Sequence, residues 1–138
     1  MLKIDSITRG LVLDHITAGR SMSIYHDLRL GELDSCVAII KNVKSVKMGK
    51  KDIIKIEDRI DIDMDALGYI DPHITVNIVE NGVITGKQQL RLPPTLTNVI
   101  RCKNPRCITS TEPGIAHIFD RADPKKRVYR CRYCEQDG

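Results

Sequence analysis

The chain has 138 residues and a formal net charge of +4, and 41% of its residues are apolar while only 4% are aromatic. This length allows one ordinary domain or two small ones, and the apolar fraction excludes a disordered chain. No apolar run approaches the roughly 18 residues of a membrane-spanning helix. No secretory leader is recognisable at the N-terminus, so we expect a cytoplasmic protein that does not bind membranes.

Residues 1–92 predict strands that alternate with helices. Runs of branched apolar residues, or apolar residues at every second position, are typical of strands. The Asn-Gly pair at 81–82 predicts a hairpin turn, and a basic turn is expected at 45–51. The predicted strands cover residues 7–16, 35–43, 52–58, 74–79 and 83–87.

Two helices are predicted between these strands. The first ends near Leu30, and the second covers residues 63–70 with Asp63 as its N-cap. The order β-α-β-β-α-β, with an extra edge hairpin, is that of an α+β ferredoxin-like sandwich, in which both helices cover one sheet face and leave the other open. The inner face of the first helix is predicted from Met22, Tyr25 and Leu28, which follow helical spacing. Thr17 or Ser21 could cap its start, and Gly31 its end.

Pro93 and Pro94 separate this segment from a second one, residues 93–138, which is too short to build a self-sufficient core without a metal or disulfides. Four cysteines lie in it as C-x4-C and C-x2-C pairs. Two β-prone runs, 115–119 and 127–131, lie between the pairs and are joined by a turn at 121–126. This pattern predicts a small zinc-ribbon-like β domain with a structural zinc ion held by four thiolates. The ligands are Cys102, Cys107, Cys131 and Cys134.

Alternatives exist for several of these residues. The four cysteines could hold an iron–sulfur cluster or be unrelated core residues, and His117 is a further candidate ligand. Cys36, in an apolar run, is expected to be a small core residue. Asp14 and His15 are adjacent on a predicted strand and should point to opposite faces, so they cannot form a catalytic dyad.

No catalytic set, Walker loop or dinucleotide fingerprint is present in the sequence. A phosphate site could instead use scattered cations. By strand alternation Lys51 and Lys55 share one face with Ile53, and Lys87 follows the Asn-Gly turn. The competing interpretation is that these lysines only keep an exposed sheet face soluble.

In combination, these features resemble the regulatory chain of aspartate carbamoyltransferase. The similarity runs in order along nearly the whole chain. The stretches that carry it are LVLDHI (11–16), MGKKDIIKIED (48–58), TVNIV (75–79), TGK (85–87), LP (92–93), CKNPRCI (102–108), EP (112–113) and CRYCE (131–135).

The resemblance implies a non-catalytic allosteric subunit in pyrimidine biosynthesis. Residues 1–92 would be an allosteric nucleotide-binding domain, with CTP as inhibitor, ATP as opposing effector and possibly UTP. Residues 93–138 would be a structural zinc domain that contacts the catalytic chain and transmits the signal. The first domain would also form a homodimer.

The resemblance also implies roles for individual residues. Gly82 stands where related chains often carry an aromatic residue beside the base. The catalytic-chain interface would include Asn104, Arg106 and Glu135. The nucleotide-effector residues would be Ile7, Val12, Asp14, His15, Lys51, Lys55, Asn77, Ile84 and Lys87.

The alternative function is a zinc-ribbon protein that binds nucleic acid. A ferredoxin-like sheet can bind RNA when aromatic residues line its open face. The predicted strands of the first segment contain almost no aromatic residues, and Phe119, Tyr129 and Tyr133 all lie in the second segment. We therefore expect no nucleic-acid partner.

Overall fold

The computed structural model describes residues 7–123 and 125–138. It contains two compact units, one that ends at Arg91 and one that runs from Leu92 to Gly138. The first unit is built on a five-stranded antiparallel sheet in the order β2-β3-β1-β4-β5. The strands are β1 (Gly10–Thr17), β2 (Val37–Ser45), β3 (Gly49–Ile56), β4 (Thr75–Glu80) and β5 (Val83–Gln89).

Two short helices complete this unit, α1 (Ser21–Asp27) and α2 (Met64–Ile70). The element order and the central strand order confirm the predicted ferredoxin-like sandwich, with β5 added beside β4. Asp63 caps α2 as predicted, because its carboxylate accepts hydrogen bonds from the N–H groups of Asp65 and Ala66.

Alternate residues of the central strands form the core, as two-residue periodicity requires. Leu13 of β1, Ile54 of β3 and Val76 of β4 are fully buried, and they pack in one cluster with Ile24 of α1 and Leu67 of α2. The helices therefore cover one face of the sheet. The residues between these core positions lie on the opposite face, which we call the open face.

The predicted inner face and ends of the first helix were partly wrong. Met22 is 43% exposed and Ile24 is fully buried, although Tyr25 and Leu28 do pack against the core. The helix begins after Arg20, which has no side-chain cap, and it ends at Asp27, before Gly31. A capping prediction from neighbouring residues failed because the carboxylate of Asp52, on β3, accepts the N–H groups at the start of this helix.

Cys36 is exposed, so its predicted place in the core was wrong. It precedes the first residue of β2 and uses its carbonyl to accept the N–H of Glu57. The adjacent apolar run suggested burial, but that run begins one residue later, at Val37.

The second unit has a three-stranded antiparallel sheet and one turn of helix. Leu96, Phe119 and Tyr129 form its buried centre, and the Tyr129 hydroxyl donates to the Pro93 carbonyl at 2.6 Å. Position 124, in the predicted turn, lies outside the described residues. The elements are β6 (Thr95–Thr97), α3 (Ile108–Thr111), β7 (Ile118–Arg121) and β8 (Tyr129–Cys131), in sheet order β6-β7-β8.

In the part of the chain that the structure describes, no helix is both long and apolar enough to cross a membrane.

Candidate functional sites

The four cysteines of the second unit converge on one point. Their sulfur atoms all lie within 4.8 Å of one another, with 3.5 Å between Cys102 and Cys134 and 3.7 Å between Cys107 and Cys131. Metal–sulfur bonds of about 2.3 Å in a regular tetrahedron place the sulfurs about 3.8 Å apart. The cluster therefore has the size that a single tetrahedral metal ion requires.

Backbone N–H groups surround this sulfur cluster. Each sulfur accepts a hydrogen bond from the backbone N–H two residues further along the chain, a pattern that stabilises negative sulfur. The donors for Cys102, Cys107, Cys131 and Cys134 are Asn104, Thr109, Tyr133 and Gln136 respectively.

Without a cation, four thiolates this close together would repel one another. Burial raises the pKa of the Cys102 thiol to about 12, whereas the Gln136 N–H lowers the pKa of Cys134 to about 7. A divalent cation removes this conflict because it deprotonates its thiol ligands. The donor set and the spacing thus fit a bound metal.

His117 is not part of the sulfur cluster. Its ring Nδ1 accepts the backbone N–H of Cys102 at 3.1 Å. The backbone N–H of His117 donates to the Asn98 side-chain oxygen at 2.9 Å. The group of potential ligands among the described residues contains the four cysteines alone. His117 therefore positions the backbone of a candidate ligand.

The three predicted interface residues lie in the two cysteine turns. Asn104 closes the first turn, because its side chain accepts the Arg106 N–H and its carbonyl accepts the Cys107 N–H, both at 3.1 Å. Glu135 closes the second with a positive φ of 64° and an N–H bond of 2.8 Å to the Cys131 carbonyl. Arg106 and Glu135 are exposed.

Two exposed apolar side chains beside these residues were not predicted. Ile108 is 43% exposed and Tyr133 is 46% exposed, and each directly precedes or follows a cysteine. The sequence could have indicated them, because an apolar residue directly beside a metal-binding cysteine lies on a tight turn at the surface. The cysteine turns thus present a mixed polar and apolar surface.

The first unit has a cavity of about 370 Å3 on the open face of its sheet. It brings together six of the nine residues assigned to effector binding and leaves out His15, Lys51 and Lys87. The six are Ile7, Val12, Asp14, Lys55, Asn77 and Ile84, and the further lining residues are Ile53, Val79 and Gly82.

A row of residues across four strands organises this cavity. Lys55 pairs with Val12, Val12 with Asn77, and Asn77 with Lys87. Adjacent strands lie about 4.8 Å apart, so the two lysines flank the row at its ends and Asn77 stands between them. Lys87 is thus placed beside the cavity by strand register, although it does not line it.

The two ends of the cavity differ in polarity. Val79 pairs with Ile84 at one end, where Gly82 also lies. A Cβ atom built on Gly82 would meet no atom within 4 Å, so this end is open as well as apolar.

At the other end, Asp14 forms an ion pair of 2.9 Å with Lys51. Burial alone would raise the pKa of Asp14, but the Lys51 ammonium and the His15 N–H together hold that pKa below its usual value. Lys51 is therefore engaged by a carboxylate at the edge of the cavity.

The expectation that Asp14 and His15 point to opposite faces was wrong. His15 has a positive φ of 59°, and the pairing of β1 with β3 shifts between Leu13 and Ile16. This bulge interrupts the strand alternation. The His15 Nδ1 lies 3.3 Å from the Thr75 hydroxyl, and Thr75 is the strand partner of Asp14, so both side chains are on the open face.

Asn77 is the buried polar group of this cavity. The residue is only 9% exposed, and its Oδ1 has no hydrogen-bond partner among the described residues. An unpaired buried oxygen costs roughly 1–3 kcal/mol. A ligand that donates a hydrogen bond here would remove this cost.

Comparisons with known proteins cover both units. Residues 2–91 match the family described as aspartate carbamoyltransferase regulatory chain, allosteric domain. Residues 94–137 match the family described as aspartate carbamoyltransferase regulatory chain, metal binding domain.

Individual relatives agree over almost the full length. The chain is 52% identical over 136 residues to an aspartate carbamoyltransferase regulatory chain of Clostridium botulinum, which covers 99% of this chain and 93% of the relative. It is 49% identical, with the same coverage, to that of Clostridium acetobutylicum. It is 40% identical over 137 residues to that of Bifidobacterium longum, which covers 99% of both chains.

The resemblance recognised in the sequence is thereby confirmed, and the cysteine cluster lies within the segment that matches the metal-binding family. The chain belongs to the family of aspartate carbamoyltransferase regulatory chains, which are non-catalytic subunits.

Proposed function

We propose that this chain binds nucleotide effectors in the open-face cavity and passes the signal to the catalytic chains of aspartate carbamoyltransferase in pyrimidine biosynthesis. The observation that carries the proposal is the row Lys55–Val12–Asn77–Lys87, which places one lysine on each side of a buried carboxamide whose oxygen is unpaired among the described residues. Lysines are flexible point charges that suit a mobile triphosphate.

The polarity of the cavity supports one orientation of the proposed nucleotide. The apolar, open end at Ile7, Gly82 and Ile84 suits a base, which can be read there by backbone polar groups. The lysine row and the end at Asp14, His15 and Lys51 suit the ribose hydroxyls and the phosphates. Backbone N–H and C=O groups can pair with the polar edge of either a pyrimidine or a purine base. CTP, ATP and UTP can therefore share this cavity.

Zinc is the metal that we propose for the cysteine cluster. The sulfurs lie within 4.8 Å of one another, which leaves space for one ion between them and none for a cluster of several irons and sulfides. Four thiolates complete a tetrahedral zinc sphere, so the ion would be structural. One zinc per chain, measured by elemental analysis, is the expected stoichiometry.

The docking surface for the catalytic chain is proposed to be the surface of the two cysteine turns. Asn104, Arg106 and Glu135 supply its polar groups, and the exposed Ile108 and Tyr133 supply its apolar area. The metal would hold both turns in one arrangement. Loss of the metal should therefore abolish docking as well as folding of this unit.

The assembly proposed for this subunit has two further parts. The first domain, residues 1–92, would form a homodimer, and the second, residues 93–138, would connect it to catalytic chains. The effector would act by binding two states of the assembly unequally. We place the protein in the cytoplasm, where thiols remain reduced.

The effector site is tested by titrating the full chain with CTP, ATP and UTP in a calorimeter. Lys87→Ala should weaken triphosphate binding about tenfold or more, because it removes one of the two flanking charges. Lys103→Ala, in the second unit, is the matched control and should leave the affinities unchanged. Equal affinities in wild type and Lys87→Ala would refute the assignment.

A second function, nucleic-acid binding, has less support. The nine residues that line the open-face cavity include no aromatic side chain that could stack on a base. Filter binding at two salt concentrations separates the two functions, because phosphate-driven nucleic-acid binding falls steeply with salt.

A further inference from the structure

The turn between β4 and β5 contains the one place in the sequence where asparagine is followed by glycine, Asn81-Gly82. The backbone nitrogen of a residue can attack the side-chain amide of a preceding asparagine, and a bulky side chain on the attacking residue hinders this reaction. Glycine has no side chain and leaves its nitrogen accessible. The other four asparagines, which are followed by valine, isoleucine or proline, are Asn42, Asn77, Asn98 and Asn104.

The structure exposes this turn. Asn81 and Gly82 are both exposed, and they connect Glu80 to its strand partner Val83 as a two-residue turn. Both have a positive φ, 52° and 76°, as the tightest hairpin turns require. A Cβ atom built on Gly82 would meet no atom within 4 Å. Among the described residues, nothing therefore blocks the access of water and base to this turn.

The Asn81 side chain is also less engaged than other asparagine side chains. Those of Asn98 and Asn104 each accept a backbone N–H, and Asn77 is buried in the sheet. The Asn81 side chain enters none of the hydrogen bonds found among the described residues. No such bond needs to break before its carbonyl carbon is attacked.

One contact restrains the nitrogen that would attack. The backbone N–H of Gly82 donates to the Thr8 carbonyl at 2.8 Å. While this bond holds, the nitrogen keeps its proton and cannot turn towards the Asn81 side chain. The reaction therefore requires Thr8 to release the turn first.

We propose that Asn81 is a site of self-catalysed deamidation, controlled by release of the Gly82–Thr8 hydrogen bond. The Gly82 nitrogen loses its proton and forms a bond to the side-chain carbonyl carbon of Asn81. The bond from that carbon to the side-chain nitrogen breaks, ammonia leaves with the proton, and a succinimide ring remains. Water then opens the ring at either carbonyl and gives aspartate or isoaspartate, so that overall one water enters and one ammonia leaves.

The product would lie at the rim of the open-face cavity. Gly82 lines that cavity together with Ile7 and Ile84. Aspartate adds a negative charge beside it, and isoaspartate also lengthens the main chain of a two-residue turn, which moves Gly82 away from Thr8. Both changes should weaken the binding of an anionic nucleotide. This consequence rests on the proposed function, whereas the modification itself does not.

Mass spectrometry of peptides from the full chain, incubated for days at neutral and at mildly alkaline pH, tests the modification. Asn81 should convert, and faster at the higher pH because the Gly82 nitrogen must lose its proton. Asn42 and Asn98 should stay intact. They are internal controls because both are exposed with a positive φ, 61° and 58°, but both precede valine.

A second incubation in guanidinium chloride tests the control by Thr8. Unfolding removes the Gly82–Thr8 bond, so Asn81 should convert faster there than in the folded chain. Asn81→Gln should abolish the conversion in the turn, because attack on the longer side chain forms a less favourable ring. The proposal is overturned if Asn81 stays intact in the folded chain, if Asn42 converts as fast, or if denaturant leaves the rate unchanged.

Calorimetric titration with CTP reports the consequence for the cavity. Asn81→Asp should bind CTP more weakly than wild type, and Asn81→Gln, which stays neutral, should bind it equally well. Equal affinities in Asn81→Asp and Asn81→Gln would contradict the effect on the cavity. A wild-type chain that binds no nucleotide would refute the proposed function instead, and the mass measurement would still decide whether Asn81 deamidates.

Discussion

Asp52 is expected to be the polar residue on which the first unit most depends. Its side chain is fully buried, and its carboxylate accepts the backbone N–H groups of Gly19 at 3.1 Å, Ser21 at 3.3 Å and Asn42 at 3.0 Å. These bonds join the start of α1 and the irregular part of β2 to β3. The substitution Asp52→Asn keeps the shape and removes the charge.

The expected cost follows from these three bonds. The asparagine oxygen can replace Oδ2 and keep the bonds from Gly19 and Ser21, each weakened by about 1 kcal/mol because the acceptor is neutral. Its NH2 group then faces the Asn42 N–H, which loses a charge-assisted bond of about 2 kcal/mol. The free energy of unfolding should fall by about 4 kcal/mol, a large part of the ~5–15 kcal/mol typical of a domain.

The cost should depend on pH. Burial raises the pKa of Asp52, but the hydrogen bonds from Ser21, Asn42 and Gly19 outweigh it, so the folded-state pKa lies below the ordinary value of 3.8. A lowered pKa contributes stability that is fully present above the unfolded value and is lost as pH falls through the folded value. The difference between wild type and Asp52→Asn should therefore shrink below about pH 4.

Native-state hydrogen exchange in rising urea measures the free energy of unfolding of the first unit separately, when only peptides from β1 and β3 are followed. Asp61→Asn, at an exposed position, is the matched control and should change stability by no more than about 0.5 kcal/mol. The reasoning is refuted if Asp52→Asn loses less than about 1 kcal/mol, or if the difference is the same at pH 7 and pH 3.

Three further outcomes are expected. Chelation of the metal, or Cys107→Ser, should unfold the second unit and leave the first folded, because the proposed zinc would contribute on the order of 10 kcal/mol; an unchanged circular dichroism spectrum would contradict this. Gly10→Ala should prevent folding of the first unit, since its Cβ would lie 1.9 Å from the Ile56 carbonyl oxygen, whereas Gly19→Ala, with a positive φ but open space, should lower the unfolding free energy by only about 1–2 kcal/mol. Asp63→Ala should cost about 1 kcal/mol in urea unfolding through the lost cap of α2, and Asp65→Ala, two residues later in the first turn, should cost less.

Local patterns predicted the features that depend on neighbouring residues. Alternation indicated the strands, and Asp63 indicated the start of α2, because each involves contacts within a few residues. The two cysteine pairs indicated a metal site, because their spacing closes a tight turn around one ion. These features follow from the sequence since they require no knowledge of which distant segments meet.

The tertiary structure decided the features that depend on distant partners. The cap of α1 comes from Asp52, more than 30 residues away in the chain, so Thr17 and Ser21 could not reveal it. The bulge at His15 lies where the register of β1 against β3 shifts between Leu13 and Ile16, a pairing of segments that are far apart in the chain. Register across four strands placed Lys87 in one row with Lys55, and no sequence period specifies such a row, because strand pairing is a long-range contact.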